Sequence, residues 1–364
     1  MNEIDLEIID IQNLQDILKN IYLTPFFDKN IVKLIDSINA DIEKTLTVET
    51  DIYYLRNYRD NLFLTISFLR GSINKLIPYE VIFVIEKILE SDLKENLKIL
   101  TKMLGEFNYC IYNDFDIKSL FDINNISEKY IIMGLPENYK DIPLNNIALF
   151  HEAGHFIERN YAISNAILLF YTDEVFNILS KLLNIDIFDY FKTNDRKKIA
   201  ENYLKEFFSD LYGAQFSGKG FIELLKKLKF SDQGNVSYTH PDIDLRINVV
   251  EDFLFGKNND IINIINEGIK ITRYNRQLVY HKIEFEKYFI YFENFVPIQI
   301  ENDFELKKIF EIGWEFLLSD RINEGDFGRL SQKKKFDIIN NLVQKSIRDY
   351  MIKKQWNSID EVTD

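Results

Sequence analysis

Cysteine is almost missing: Cys110 stands alone among 364 residues, so no internal disulfide can form and no thiolate cluster can hold a metal. Histidine is nearly as scarce, with four in the whole chain. Any zinc would therefore fall to imidazoles and carboxylates. The lack of disulfides is compatible with a reducing cytosol. Positive charge is short too, with a formal charge of −14 and a pI near 5.0. Such a balance releases no counterions from a phosphate backbone and argues against a nucleic-acid partner. Lys333-Lys334-Lys335 is the one compact basic run and reads as ordinary surface. Long apolar runs are lacking: Ala166 to Tyr171 ends at Asp173-Glu174, too short for about 30 Å of hydrocarbon. Met1-Asn2-Glu3-Ile4-Asp5 has no secretory pattern. The expectation is a soluble, cytoplasmic protein with no membrane partner, no internal repeat and no low-complexity linker.

What is present begins with a core. Hydrophobic residues make up 46% of a chain long enough for one large or two ordinary domains. Residues 1 to about 105 follow a helical period, punctuated by Pro25 and Pro78, and Tyr53, Leu55, Leu62, Leu64 and Phe68 are the expected buried face. From 106 to 142 the texture changes. Asn108 to Tyr112 and Lys129 to Met133 are short β-branched or aromatic runs, the second stopped by Gly134-Leu135-Pro136. They predict a small antiparallel sheet whose edge would either take an extended peptide by strand addition or simply pack. After about 257 helical material returns at 261–271, 306–318 and 336–351. Leu278 to Glu286 fits strand or helix, His281 reads as exposed surface, and Gly325 to Gly328 reads as a turn.

The chemistry concentrates at His151-Glu152-Ala153-Gly154-His155, inside an apolar run that Pro143 predicts to be a helix from about 143 to 160. Histidines four apart on a helix project from one face, as two imidazoles on one Zn²⁺ require. Glu152, about 100° round the axis, can reach a water on the metal without ligating it, the position of a general base. Two of four histidines are used here, which weighs against coincidence. Gly154 costs about 1 kcal/mol relative to alanine inside a helix, worthwhile where another helix must come close. Glu158, within one turn of His155 on the histidine face, could be a carboxylate behind the ligands but reads rather as an ordinary exposed acid. Tyr161, ten residues after His151, removes the HExxHxxGxxH arrangement.

A catalytic zinc needs a third protein ligand. The candidate lies in Glu201 to Ala214, where Glu206 and Asp210 are again four apart, with Phe207, Phe208 and Leu211 turned to the core and Gly213 permitting close packing on the motif helix. Glu206 is the expected ligand; Asp210 suits a ligating imidazole's N–H, fixing its tautomer. Further on, Thr239 with Asp242, and Pro241 between them, resembles a capping box that opens a helix. There His240, Tyr238 or Arg246 could stabilise an oxyanion; Arg246 could equally be a strut to Asp210.

HEAGH at 151–155, EFFSD at 206–210 and THPDIDLRI at 239–247 together resemble the gluzincin-type zinc metallopeptidases, most closely the M48 peptidase family, over residues 143 to 250. The resemblance implies His151, His155 and Glu206 as ligands of one zinc ion per chain, Glu152 as catalytic base, and a peptide or protein substrate. Many M48 members carry membrane helices that this chain lacks, so membrane substrates do not transfer. A weaker likeness is to the soluble ImmA/IrrE-type metallopeptidases. The resulting expectation is a mainly α (α+β), zincin-like metalloendopeptidase: helical region 1–105, catalytic core 106–256 with the small sheet, helical region 257–364. The competing readings are a non-catalytic zincin-like scaffold for a partner, and a latent protease that cuts one regulator.

Overall fold

A computed structural model describes residues 2–23, 29–49, 51–73, 76–106, 108–112, 116–123, 126–182, 193–231, 239–274 and 276–360. The described chain is mainly helical with one small sheet, and it divides into two compact units, Met1–Asp141 and Ile142–Asp364. Three regions were expected; the contacts group residues into two. Among the described residues no helix is long and apolar enough to cross a membrane.

The first unit opens with helices α1 (Glu3–Tyr22), α2 (Lys29–Val48), α3 (Ile52–Gly71) and α4 (Tyr79–Leu93). Asn2 caps α1 with a reciprocal bond to Asp5, and Asp51 caps α3 by accepting from Tyr53 N. Each helix buries one stripe: Ile11 and Leu18 from α1, Leu34, Ile38 and Ile42 from α2, Leu55, Leu62 and Leu69 from α3 form a common core. Of the expected buried face, Leu55, Leu62 and Phe68 are buried and Leu64 partly so. Tyr53 is 73% exposed, because two residues before Leu55 is about 200° round the helix.

The sheet is mixed, not antiparallel. Strand β1 (Leu97–Leu104) pairs parallel with β3 (Lys129–Pro136), and the two-residue β2 (Cys110–Ile111), followed by the one-turn helix α5 (Ile117–Leu120), pairs antiparallel on the far side of β3. The stretch forming β1 was expected to be helical. Its Ile99, Leu100 and Thr101 are buried consecutively, so both faces are covered and no polar–apolar alternation marks the strand. Strand β3 also runs through Gly134 instead of stopping there. Gly134 lies opposite Cys110, and a Cβ on it would come 2.6 Å from the Cys110 Sγ. The missing side chain lets the pair form.

The outer edge of β1 is largely occupied. Ile99 N donates to the Glu86 carboxylate at 2.9 Å and Thr101 N to Ser72 Oγ at 2.9 Å, while Thr101 Oγ1 donates to Gly71 O at 2.7 Å. Side chains from two helices thus take amides that an added strand would need, one way sheets protect an edge. Strand β2 is only two residues long, and the sheet belongs to the first unit while the motif helix belongs to the second. The close approach at Gly71 gives a prediction. A Cβ there would lie 2.0 Å from Thr101 O, so Gly71→Ala should destabilise the protein by at least about 1–3 kcal/mol in urea unfolding.

In the second unit a 3₁₀ turn, Pro143–Asn145, leads into α6 (Ala148–Tyr161). Then follow α7 (Ile163–Phe170), α8 (Thr172–Leu182), α9 (Thr193–Ser217), α10 (Lys219–Ser231), α11 (Ile243–Leu254), α12 (Asp260–Ile271), α13 (Glu286–Glu293), α14 (Asp303–Leu318) and α15 (Gln332–Asp360). Residues 276–285 form neither strand nor helix, and His281 is exposed as expected. The late helices hold the start of the motif helix: Leu144 N donates to the Asn340 side chain at 3.2 Å, and Trp314 Nε1 donates to Leu144 O at 3.0 Å. Phe150 of α6 packs edge-on against Phe310 of α14, ring centroids 5.3 Å apart. The C-terminal helices are therefore structural support for the motif helix.

Candidate metal centre

Helices α6 and α9 meet where both lack side chains. A Cβ on Gly154 would lie 2.7 Å from Ser209 Cα, and one on Gly213 would lie 3.3 Å from His151 N and 2.7 Å from Phe221. Each glycine thus removes the obstacle to one backbone approaching the other. This is the close packing expected of both, and it sets His151 and His155 facing Glu206.

Among the described residues, one group of side chains could hold a metal ion: His151, His155 and Glu206, each offering an atom within 4.8 Å of the others. His155 Nε2 lies 3.3 Å from Glu206 Oε1, and His151 Nε2 lies 3.6 Å from Glu206 Oε2. A tetrahedral zinc with bonds of roughly 2.0–2.1 Å needs its donors about 3.3–3.4 Å apart, and each imidazole Nε2 has one oxygen of Glu206 at or near that separation. The donor set is also chemically apt, with two imidazoles and one carboxylate. Glu206 Oε2 is buried with no hydrogen bond, leaving its charge incompletely partnered. The residues present fit a zinc ion.

Electrostatics prepares the same ligands. Burial would raise the Glu206 pKa, but the His155 hydrogen bond and the Arg246 charge hold it well below the usual carboxylate range. Burial opposes the charged form of His155, yet Glu206 leaves its pKa above the ordinary value. Glu152 differs: burial pushes its carboxyl up, partly offset by His151 and His155, and its other charged neighbours are Glu206 and Arg246. It faces the set without belonging to it.

Behind the ligands stands an ion pair. Arg246 donates through Nε to Asp210 Oδ2 and through Nη2 to Oδ1, both at 2.7 Å, a two-pronged pair. Asp210 Oδ1 also lies 2.9 Å from His151 Nδ1, although off the ideal N–H direction. Asp210 is thus where a residue orienting His151 should be, and Arg246 makes the strut contact considered above. Its fork is directed at carboxylates, on a side chain 7% exposed. Burial raises the Asp210 pKa, but Arg246 outweighs it and leaves the group below its ordinary value. Asp210→Asn would strand a buried guanidinium and should cost about 3–5 kcal/mol at neutral pH by urea unfolding of the metal-free protein. A depressed folded pKa means that this stability is present above the ordinary aspartate value of about 3.9 and lost as pH falls through the folded one, so the gap to the variant should narrow on acidification.

Two placements depart from expectation. The α11 cap is Asp242, which accepts from Asp244 N at 2.9 Å and Leu245 N at 3.3 Å; Thr239 Oγ1 instead lies 2.8 Å from His240 Nδ1. Glu158 is buried rather than exposed and accepts from Ser164 N at 3.0 Å, holding the start of α7. Tyr238 and the loop 232–235 lie outside the described residues. His240 is 57% exposed, with Nε2 3.5 Å from Glu206 Oε1, beside the set of three rather than in it. One neighbour had no signal in the sequence: Phe221 of α10 stacks on the His151 ring, centroids 6.2 Å apart.

No protein family, no curated protein and no solved structure matches this chain. The arrangement itself defines a candidate metal centre of the two-histidine, one-carboxylate kind, held between two helices.

Proposed function

We propose that this chain is a zinc-dependent metallopeptidase of gluzincin type, resembling the M48 family, which hydrolyses peptide bonds in a peptide or protein substrate. The observation that carries the reading is the convergence of Glu206, 51 positions beyond His155 in the chain, on the two motif imidazoles. A chance HExxH pentapeptide has no reason to find a buried carboxylate one tetrahedral edge away, backed by a second acid and an arginine.

His151, His155 and Glu206 would hold the ion. Zinc bound there supplies Lewis acidity, lowering the pKa of a water and polarising the scissile carbonyl. Glu152 takes the water's proton and delivers it to the leaving amine. Its desolvated carboxyl, with a pKa above the usual, suits both roles because a base too weakly basic holds no proton to return. Asp210 keeps the His151 ring in place, and Arg246 keeps Asp210 charged. His240, with Nδ1 2.8 Å from Thr239 Oγ1 and Nε2 3.5 Å from Glu206 Oε1, would be the side chain beside the ligands that approaches an oxyanion.

The test is a diverse peptide mixture incubated with the purified protein and read by mass spectrometry. Cleavage that stops with a chelator and returns with zinc supports the reading. Cleavage indifferent to the chelator counts against zinc-dependent hydrolysis, and no cleavage of any peptide or protein while zinc is bound favours the scaffold.

A further inference from the structure

Arg246 does more than pair with Asp210. The same Nη2 that donates to Asp210 Oδ1 at 2.7 Å lies 3.3 Å from Glu206 Oε2. Glu206 Oε1 lies 3.3 Å from His155 Nε2 and 3.5 Å from His240 Nε2. The two oxygens of one carboxylate therefore have different neighbours. Each oxygen faces one motif imidazole, Oε1 that of His155 and Oε2 that of His151 at 3.6 Å; Oε2 alone also has a fixed guanidinium against it, close enough for charge but without a hydrogen bond. The guanidinium has no freedom to withdraw, since the fork on Asp210 sets its plane and the side chain is buried.

We infer, on the reading that His151, His155 and Glu206 bind a metal, that Arg246 restricts Glu206 to one ligating oxygen and so makes the site selective for a small four-coordinate ion such as Zn²⁺ over larger, oxygen-seeking ions such as Mn²⁺. A second bond from Oε2 would draw the ion toward a fixed positive charge, which low-dielectric surroundings make costly. Removing that charge also changes the composition of the pocket: Glu206, Asp210 and Arg246 together carry one net negative charge, and the two carboxylates alone carry two. More negative charge and a carboxylate open on both oxygens are the conditions that favour higher coordination numbers and oxygen-seeking ions. Arg246 is in this sense a positioning residue that sets metal specificity.

The experiment uses the full chain as wild type, Arg246→Lys and Arg246→Gln, with folding checked by circular dichroism. Zn²⁺ and Mn²⁺ affinities are measured by chelator competition, and Co²⁺ absorption reports coordination number. The wild type should give the intense visible bands of four-coordinate cobalt. Arg246→Gln should weaken zinc, strengthen manganese and shift the zinc-to-manganese preference by about tenfold or more, the scale of residues behind the ligands. Its cobalt bands should fade as coordination expands. Arg246→Lys, with the charge but not the fork, should fall between. Equal weakening of both metals with an unchanged cobalt spectrum would mean a strut and nothing else, and would overturn the inference. So would five- or six-coordinate cobalt in the wild type, a result that needs no variant to fold. A wild type that binds neither zinc nor cobalt overturns the metal site itself, which separates that failure from this one.

Discussion

Glu206→Gln is expected to reduce zinc binding more than about 100-fold, so that a protein carrying one zinc ion per chain after dialysis becomes essentially metal-free. The substitution keeps the side chain's size and removes the one anionic donor of the three that converge. Loss beyond the 10–100-fold typical of residues behind a ligand follows from deleting a ligand itself. The fold should survive, because the Asp210–Arg246 fork does not depend on Glu206. Zinc binds only the folded form of such a site, so it should raise the wild type's melting temperature and leave that of the variant unchanged. Zinc at 100 times its dissociation constant adds about 2.7 kcal/mol of stability. Elemental analysis beside a thermal melt with and without zinc decides the matter. A variant that keeps its zinc removes Glu206 from the ligand set and with it the gluzincin-type reading.

The candidate metal centre was more legible in the sequence than the fold around it, for a physical reason. Spacing of four on a helix is local geometry, so His151 with His155 and Glu206 with Asp210 could each be placed on a face before any tertiary contact was known. Gly154 and Gly213 added the hint that the two faces approach, and each does meet the opposing helix. Strand β1 was hidden by the opposite circumstance. Covered on both sides, Leu97-Lys98-Ile99-Leu100 satisfies a helical and an extended pattern alike, and only its pairing with Lys129–Pro136 decides between them. Glu158 shows the limit for single residues. A carboxylate on a helix is ordinarily exposed, and what buries this one is the turn that brings Ser164 N back onto it. Contacts such as Trp314 to Leu144, 170 positions apart, leave no trace in local periodicity.

Glu152→Gln should abolish most peptide hydrolysis while leaving zinc in place, and the two effects together discriminate between the enzyme and the scaffold. Glutamine matches glutamate in size and can still hydrogen-bond a water, but it can neither accept a proton from that water nor return one to an amine. General acid–base catalysis is worth about 10²–10⁴-fold, roughly 3–5 kcal/mol of barrier at 1.36 kcal/mol per tenfold. The loss should therefore appear in kcat, with KM little changed, since the carboxylate acts on the reacting atoms and not on substrate held at a distance. Metal content should not fall, because Glu152 stands outside the converging set of His151, His155 and Glu206. Stability should hold or rise, since burial already disfavours the charged carboxylate at this position and a neutral amide avoids that cost. Contrast with Glu206→Gln makes the experiment sharp: one variant is expected to lose metal and turnover together, the other turnover alone. If Glu152→Gln cleaves as fast as the wild type, proton transfer in this protein belongs to another group or the hydrolysis to a contaminant. Zinc content measured in the same sample, beside cleavage by a wild type purified identically, tells those two apart.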